Sequence, residues 1–131
     1  MKAIRCREWG APEVLRLEEA ESPSLKPHQV RVRVRAAGVN FADSLMVGGT
    51  YQVKPPFPFT PGLEAAGEIV ETGSAVDGLQ TGQRVLAVLR NGGGYAEEIV
   101  LAAASVVPIP DAMDFVTAAG SRLPMAPRIS R

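Results

Sequence analysis

QVRVRVRAAGVNFADSLMVGGTYQVKPPFPFTPGLEAAGEIVETG, residues 29–73, is the stretch that decides the fold. It opens on strict alternation. Val30, Val32 and Val34 fall on one face of a strand and Arg31, Arg33 and Arg35 on the other. This predicts a strand over residues 29–38 with one face in a core. The arginine face reads as solvated rather than as an anion site. Past Gly38 the pattern changes, and residues 42–47 predict a short helix with Asn40 placed to cap it. KPPFPFTPG, residues 54–62, then carries four prolines in nine residues, which excludes helix and central strand and sets an extended connector. A second strand is predicted over residues 65–72. Gly62 and Gly67 flank the LEAA segment, where backbone must pass closely.

Outward from this stretch the same punctuation continues, with 13 glycines and 11 prolines among 131 residues. Further strands are predicted near residues 3–7, 14–19, 83–89 and 95–101, with a short extended run at 106–109. Their spacing suits a closed or nearly closed barrel rather than alternating βαβ units. A second helix should begin at Asp114, as N-cap, and run through Phe115, Val116 and Ala118. Gly92, Gly93 and Gly94 resemble a phosphate-cradling loop, but no lysine or helix start follows, so they are read as a hairpin connection.

Composition narrows the function classes. The chain is long enough for one domain with a real core, 46% apolar and of zero formal net charge. Phosphate-backbone binding needs concentrated positive charge, so nucleic acid is not an expected partner. No run is long and apolar enough for a membrane-spanning helix. The first ten residues carry charge but no apolar signal core, so a cytoplasmic protein is expected. Cys6 is the only cysteine: it implies packing, with no disulfide framework and no cysteine metal cluster. His28 sits in a loop before a strand and reads as solvated.

AAGVNFADSLMVGGTY followed by PPFPFTPGLEAAGEIVETG closely resembles the N-terminal domain of quinone oxidoreductases, in the medium-chain dehydrogenase/reductase superfamily. The opening MKAIRCREWGAPEVLRLEE fits as well, as do TGQRVLAVLRNGGGYAEEIVLAAASVVPIPDAMDF and the AAG that follows. The resemblance implies a mainly β, GroES-like barrel domain with one or two short helices over residues 1–120. It also implies a Rossmann domain that binds NADPH and is absent here, since no GxGxxG loop follows a βα unit. Family members are often homo-oligomeric. Zinc-dependent relatives carry a cysteine after the GV of the first motif and a histidine before the Glu of a GHE motif. Asn40 and Leu63 stand there, and neither supplies a thiolate or imidazole. The zinc-free branch is therefore implied, with hydride transfer from NADPH to a quinone or activated enone.

Several residues are candidates for that chemistry. Asn40 is the first, as a catalytic and cofactor-binding residue whose amide both donates and accepts near a nicotinamide; its bland reading is a helix cap. Asp43 is a cofactor-binding candidate that orients Asn40 or caps the same helix. Tyr51 resembles the family tyrosine at the mouth of the substrate cleft, offering a ring face and a hydroxyl. Leu45 departs from relatives that carry tyrosine, and Glu64 reads as a structural residue at a strand start.

SRLPMAPRISR, residues 121–131, fits nothing in the family. Relatives continue after AAG with a segment of the form FPxAYGT. The segment FPLAYGTSHIA, in suitably chosen synonymous codons and with one T removed from its TTC, translates in the shifted frame as SRLPMAPRISR. A one-base frameshift, with the second half of the enzyme lost, is the resulting expectation. A designed tail or a splice product is the alternative. Arg122, Arg128 and Arg131 bring charge, but Pro124 and Pro127 disfavour an organised helix start. The expected function is a truncated quinone reductase, inactive alone; the alternatives are a free-standing small-molecule or protein-binding module and a non-functional remnant.

Overall fold

The computed structural model describes residues 1–121 and contains seven strands in two antiparallel sheets. β1 (Lys2–Arg5) pairs with β2 (Arg16–Glu19). The larger sheet is built from β3 (Gln29–Gly38), β4 (Glu64–Thr72), β5 (Arg84–Val88), β6 (Glu98–Ala102) and β7 (Val106–Pro108), in the spatial order β6-β3-β4-β5-β7. The helices are α1 (Phe41–Val47) and α2 (Phe115–Ser121). The chain is mainly β with two short helices, as the sequence predicts. The expected tail beyond residue 121 lies outside the described residues.

The alternation in β3 has the predicted outcome. Val30 and Val32 are fully buried, in a core with Ala65, Ile69, Val85 and Ile99. On the opposite face Arg31 pairs with Glu71 at 2.9 Å and Arg35 with Glu68 at 2.8 Å, while Arg33 is exposed. The side chains of β4 and β5 that point away from this core meet α2: Ala66 and Leu86 pack with Ala118, Ala119 and Ile109. Small residues admit the helix there. A Cβ on Gly38 would lie 2.6 Å from the Ala119 carbonyl oxygen. Asp114 caps α2, accepting the Thr117 N–H at 2.7 Å. Cys6 is fully buried in a third cluster with Met46, Val47 and Phe59, and His28 is exposed.

Two expectations need correction. First, of the closed or nearly closed barrel expected, full closure is not reached: among the described residues the two sheets stay separate and meet only at the Ala3–Ala96 bridge and the Cys6–Phe59 bridge to the connector. β6 leaves β3 at its N-terminal end, and the residues before it turn to β1 instead: Ile4 N–H donates to Tyr95 O at 2.8 Å and Glu97 N–H to Lys2 O at 3.0 Å. Second, the glycine run at 92–94 is no hairpin, because β5 and β6 are not neighbours. It is a crossover that lies against the connector. Gly94 N–H donates to Gly62 O at 3.0 Å and Tyr95 N–H to Pro61 O at 3.0 Å. Gly62 has φ of 110°, and a Cβ there would come within 2.8 Å of Tyr95 N, so this close passage requires glycine.

Candidate active site

The site starts where β3 gives way to α1. Asn40 is extended, with φ −120° and ψ 156°, and caps α1 in a box with Asp43. Its backbone N–H donates to Asp43 Oδ2 at 2.8 Å. Asp43 is only 5% exposed. The Tyr95 hydroxyl stands 2.9 Å from the same Oδ2 and 3.2 Å from Gly38 O, with the carboxylate the nearer acceptor. Burial first, and then this bond to Asp43, raise the Tyr95 phenol well above its ordinary value of 10.0. Asp43 Oδ1 is buried and has no hydrogen-bond partner among the described residues.

A second carboxylate reaches Asn40 from the other side. Glu64, 6% exposed, starts β4 in register with Gly38, and its Oε1 accepts from Asn40 Nδ2 at 3.3 Å. Asn40 is thus held through its backbone by Asp43 and through its amide by Glu64. Glu64 was expected to be structural; it also forms part of the wall of a cleft of about 560 Å³. Ala42, Val53, Leu63 and Val88 make that cleft apolar, Tyr51 lines it, and Gln52, Arg90 and Asn91 are exposed around it.

The predicted residues divide between two cavities. Asn40 and Asp43 come together, beside Tyr95, in a smaller and mostly apolar cavity of about 160 Å³. Tyr51 lies in the larger cleft, which Asn40 touches through Glu64. Leu45 and Leu63 are half-buried, and Leu63 packs on the Cys6–Met46–Val47–Phe59 cluster. Sequence reasoning did not single out Tyr95. The available signal was an aromatic residue directly after three glycines, which bring its backbone against the connector. For Glu64 the signal was an acid heading an otherwise small and apolar segment.

The donor set has definite chemical scope. An apolar cleft with the Tyr51 phenol at its wall, next to the smaller cavity where the Asn40 amide is held, fits a planar, uncharged ring with carbonyl substituents, such as a quinone or a nicotinamide. A pyrophosphate does not fit the described residues. Both helices are seven residues long, and a carboxylate, Asp43 or Asp114, already occupies each N-terminus.

Residues 26–111 match the alcohol dehydrogenase GroES-like domain family. The chain belongs to that family. Among curated relatives, this GroES-like domain is 46% identical over 118 residues to the quinone oxidoreductase-like protein 2 homolog of Nematostella vectensis, covering 90% of this chain and 32% of that protein. It is 41% identical over 125 residues to the quinone oxidoreductase of Lama guanicoe, covering 95% of this chain and 38% of that protein. The chain therefore spans 32% to 38% of the length of these relatives. The solved structure of Escherichia coli quinone oxidoreductase complexed with NADPH superposes with a TM-score of 0.82 at 31% identity, over 92% of this chain and 37% of that one.

Proposed function

We propose that this GroES-like domain forms the acceptor-binding wall of a zinc-independent, NADPH-dependent reductase of quinones or activated enones. The observation that carries the reading is Asn40, held between the buried carboxylates of Asp43 and Glu64 beside the apolar cleft that Tyr51 lines. The E. coli relative's complex with NADPH supports the choice of cofactor. Asn40 in the cysteine position and Leu63 in the histidine position support chemistry without zinc.

NADPH, when bound, supplies the hydride. This chain's own residues do the rest of the work on its side of the cleft. Val53, Leu63 and Val88 exclude water from the face of the acceptor ring. The Tyr51 hydroxyl donates to the acceptor carbonyl oxygen as charge gathers there. Asn40 presents its amide to the nicotinamide carboxamide; Asp43 fixes its backbone and Glu64 the orientation of its amide before any ligand arrives. Tyr95 keeps its proton and holds Asp43 in place.

Acting alone, the 131 residues do not turn over, because hydride transfer needs the nicotinamide within about 3–3.5 Å of the acceptor. The described residues contain no anchor for the dinucleotide that would set this distance. We further propose that the unmatched segment at residues 121–131 arose from a one-base shift in reading frame, which sequencing of the encoding DNA checks. The functional test is NADPH oxidation with a simple quinone, assayed on this chain and on a frame-restored longer protein. Turnover by the longer protein alone is expected. Comparable turnover by the short chain, or none by either, would refute the assignment.

A further inference from the structure

We infer that the acceptor taken by this cleft carries a negatively charged substituent, such as a carboxylate or sulfonate on the quinone or enone, and that Arg90 at the cleft's rim selects it. The inference rests on the acceptor-binding reading above and adds a substrate class to it.

The first ground is the charge that Arg90 leaves uncompensated. Among the described residues most arginines are engaged, and Arg33, exposed on β3 away from the cleft, is the other whose side chain no ion pair or hydrogen bond holds. Arg7 pairs with Glu18, Arg31 with Glu71 and Arg35 with Glu68. Arg84 donates to the carbonyls of Pro110, Asp111 and Met113 and lies 4.3 Å over the Phe115 ring. Arg90 is exposed and makes no ion pair or hydrogen bond among the described residues. The one acid lining the same cleft is Glu64, which is buried and accepts from Asn40.

The second ground is how Arg90 is displayed. Gly92 N–H donates to Leu89 O at 3.1 Å, closing a turn with Arg90 and Asn91 at its two corners. Gly92 has φ of 85° and backs onto the connector, where a Cβ would come within 2.7 Å of Thr60 O. The turn is therefore seated against the body of the domain. Asn91, and Gln52 from the Tyr51 loop, line the cleft beside Arg90 and add amide donors. Below them the cleft is apolar, and Glu64 makes its floor unfavourable for an anion. A ligand with a neutral ring inside and an anionic group at the rim satisfies both ends. A neutral quinone leaves the rim donors to water.

The test is an NMR titration of the isotope-labelled 131-residue protein with anthraquinone sulfonate and with neutral hydroxymethyl anthraquinone, following the signals of Tyr51, Val53 and Val88. The sulfonate is expected to bind about fivefold more tightly at low salt, the scale of one solvent-exposed charge pair. Raising ionic strength from roughly 0.02 M to roughly 0.5 M should remove most of that preference. Arg90→Gln should bring the affinity ratio to near one, and Arg90→Lys should keep part of it. Arg90 is exposed, so neither change threatens the core. Equal binding of both ligands in the cleft, or a preference that survives Arg90→Gln, overturns the inference and leaves the acceptor-binding reading intact. If neither ligand moves the cleft signals, both fail together.

Discussion

Across the β3–β4 pair, Arg31 meets Glu71 and Arg35 meets Glu68 at the solvent face, over a core of valine, alanine and isoleucine. At the α1 corner the carboxylates of Asp43 and Glu64 are instead 5% and 6% exposed, and their bonds to Asn40 and Tyr95 take the place of water. In the first region charge decorates a structure that burial already holds together. In the second, polar groups are the structure, and each lost partner leaves a buried polar group with one bond fewer and no water to replace it. The ribbon should therefore be sensitive to shape and indifferent to charge, and the corner the reverse.

The largest effect is expected from shape in the ribbon. Gly67 lies opposite Val34 in β4, and a Cβ there would sit 1.9 Å from the Arg33 carbonyl oxygen. That oxygen belongs to the backbone of the neighbouring central strand, so the two strands must separate to make room. Gly67→Ala should cost about 3 kcal/mol or more, or prevent folding, as read from the urea midpoint. Gly120→Ala, where a Cβ meets nothing within 4 Å among the described residues, should not destabilise at all. A Gly67→Ala protein within about 1 kcal/mol of the parent would show that the β3–β4 contact yields, and the contrast would lose its rigid side.

The next effect belongs to the corner. Tyr95→Phe keeps the ring and removes the hydroxyl that meets Asp43 Oδ2. The buried carboxylate then loses a partner, at a cost of about 1–3 kcal/mol. The same variant changes the pH dependence, with a definite sign. The folded state holds the Tyr95 proton more tightly than the unfolded chain does, so more protons are bound in the folded state above the ordinary value of 10.0. This contribution is fully present below that pH and is lost as pH rises through the folded value. Lys2, raised by its bond to Glu19, adds a decline in the same alkaline range. The difference between the denaturation curves of parent and Tyr95→Phe isolates the tyrosine. If the alkaline slope is the same in both proteins, the Tyr95–Asp43 bond is not the support described.

The two regions also differed in how far the sequence revealed them. Strand β3 was legible to its last residue, because alternating valine and arginine has a single solution in a half-buried strand. The α1 cap at Asn40, the Asp114 cap and the close passage at Gly62 and Gly67 were legible too, since each needs only a residue type and its near neighbours. Strand partners were not. The loop between β5 and β6 gives no sign that β6 crosses to β3, and a run of glycines looks alike in a hairpin and in a crossover. The corner was half legible. Asn40 and Asp43 are three residues apart on one helix start, whereas Glu64 comes from 24 residues beyond Asn40 and Tyr95 from 52 residues beyond Asp43. No local pattern encodes such distances. They follow from the antiparallel register of β3 and β4 and from the glycine crossover.

The smallest effect sharpens the contrast from the other end. Arg35 donates through Nε and Nη2 to a single Glu68 oxygen, at 3.0 and 2.8 Å, with side chains 46% and 34% exposed. Glu68 faces Arg33 in the register, yet it is Arg35 that bonds it, because β3 carries an irregularity between Val34 and Ala36. A pair formed on a diagonal and open to water gains little from Coulomb attraction and gives up side-chain freedom to form. A double-mutant cycle with Arg35→Ala and Glu68→Ala should therefore return a coupling of about 0.5 kcal/mol or less, smaller still in high salt. A coupling above about 1.5 kcal/mol would exceed what exposed pairs contribute. The outer face of the ribbon would then be holding the fold together through charge as the α1 corner does, and the distinction between the two regions would be one of exposure alone.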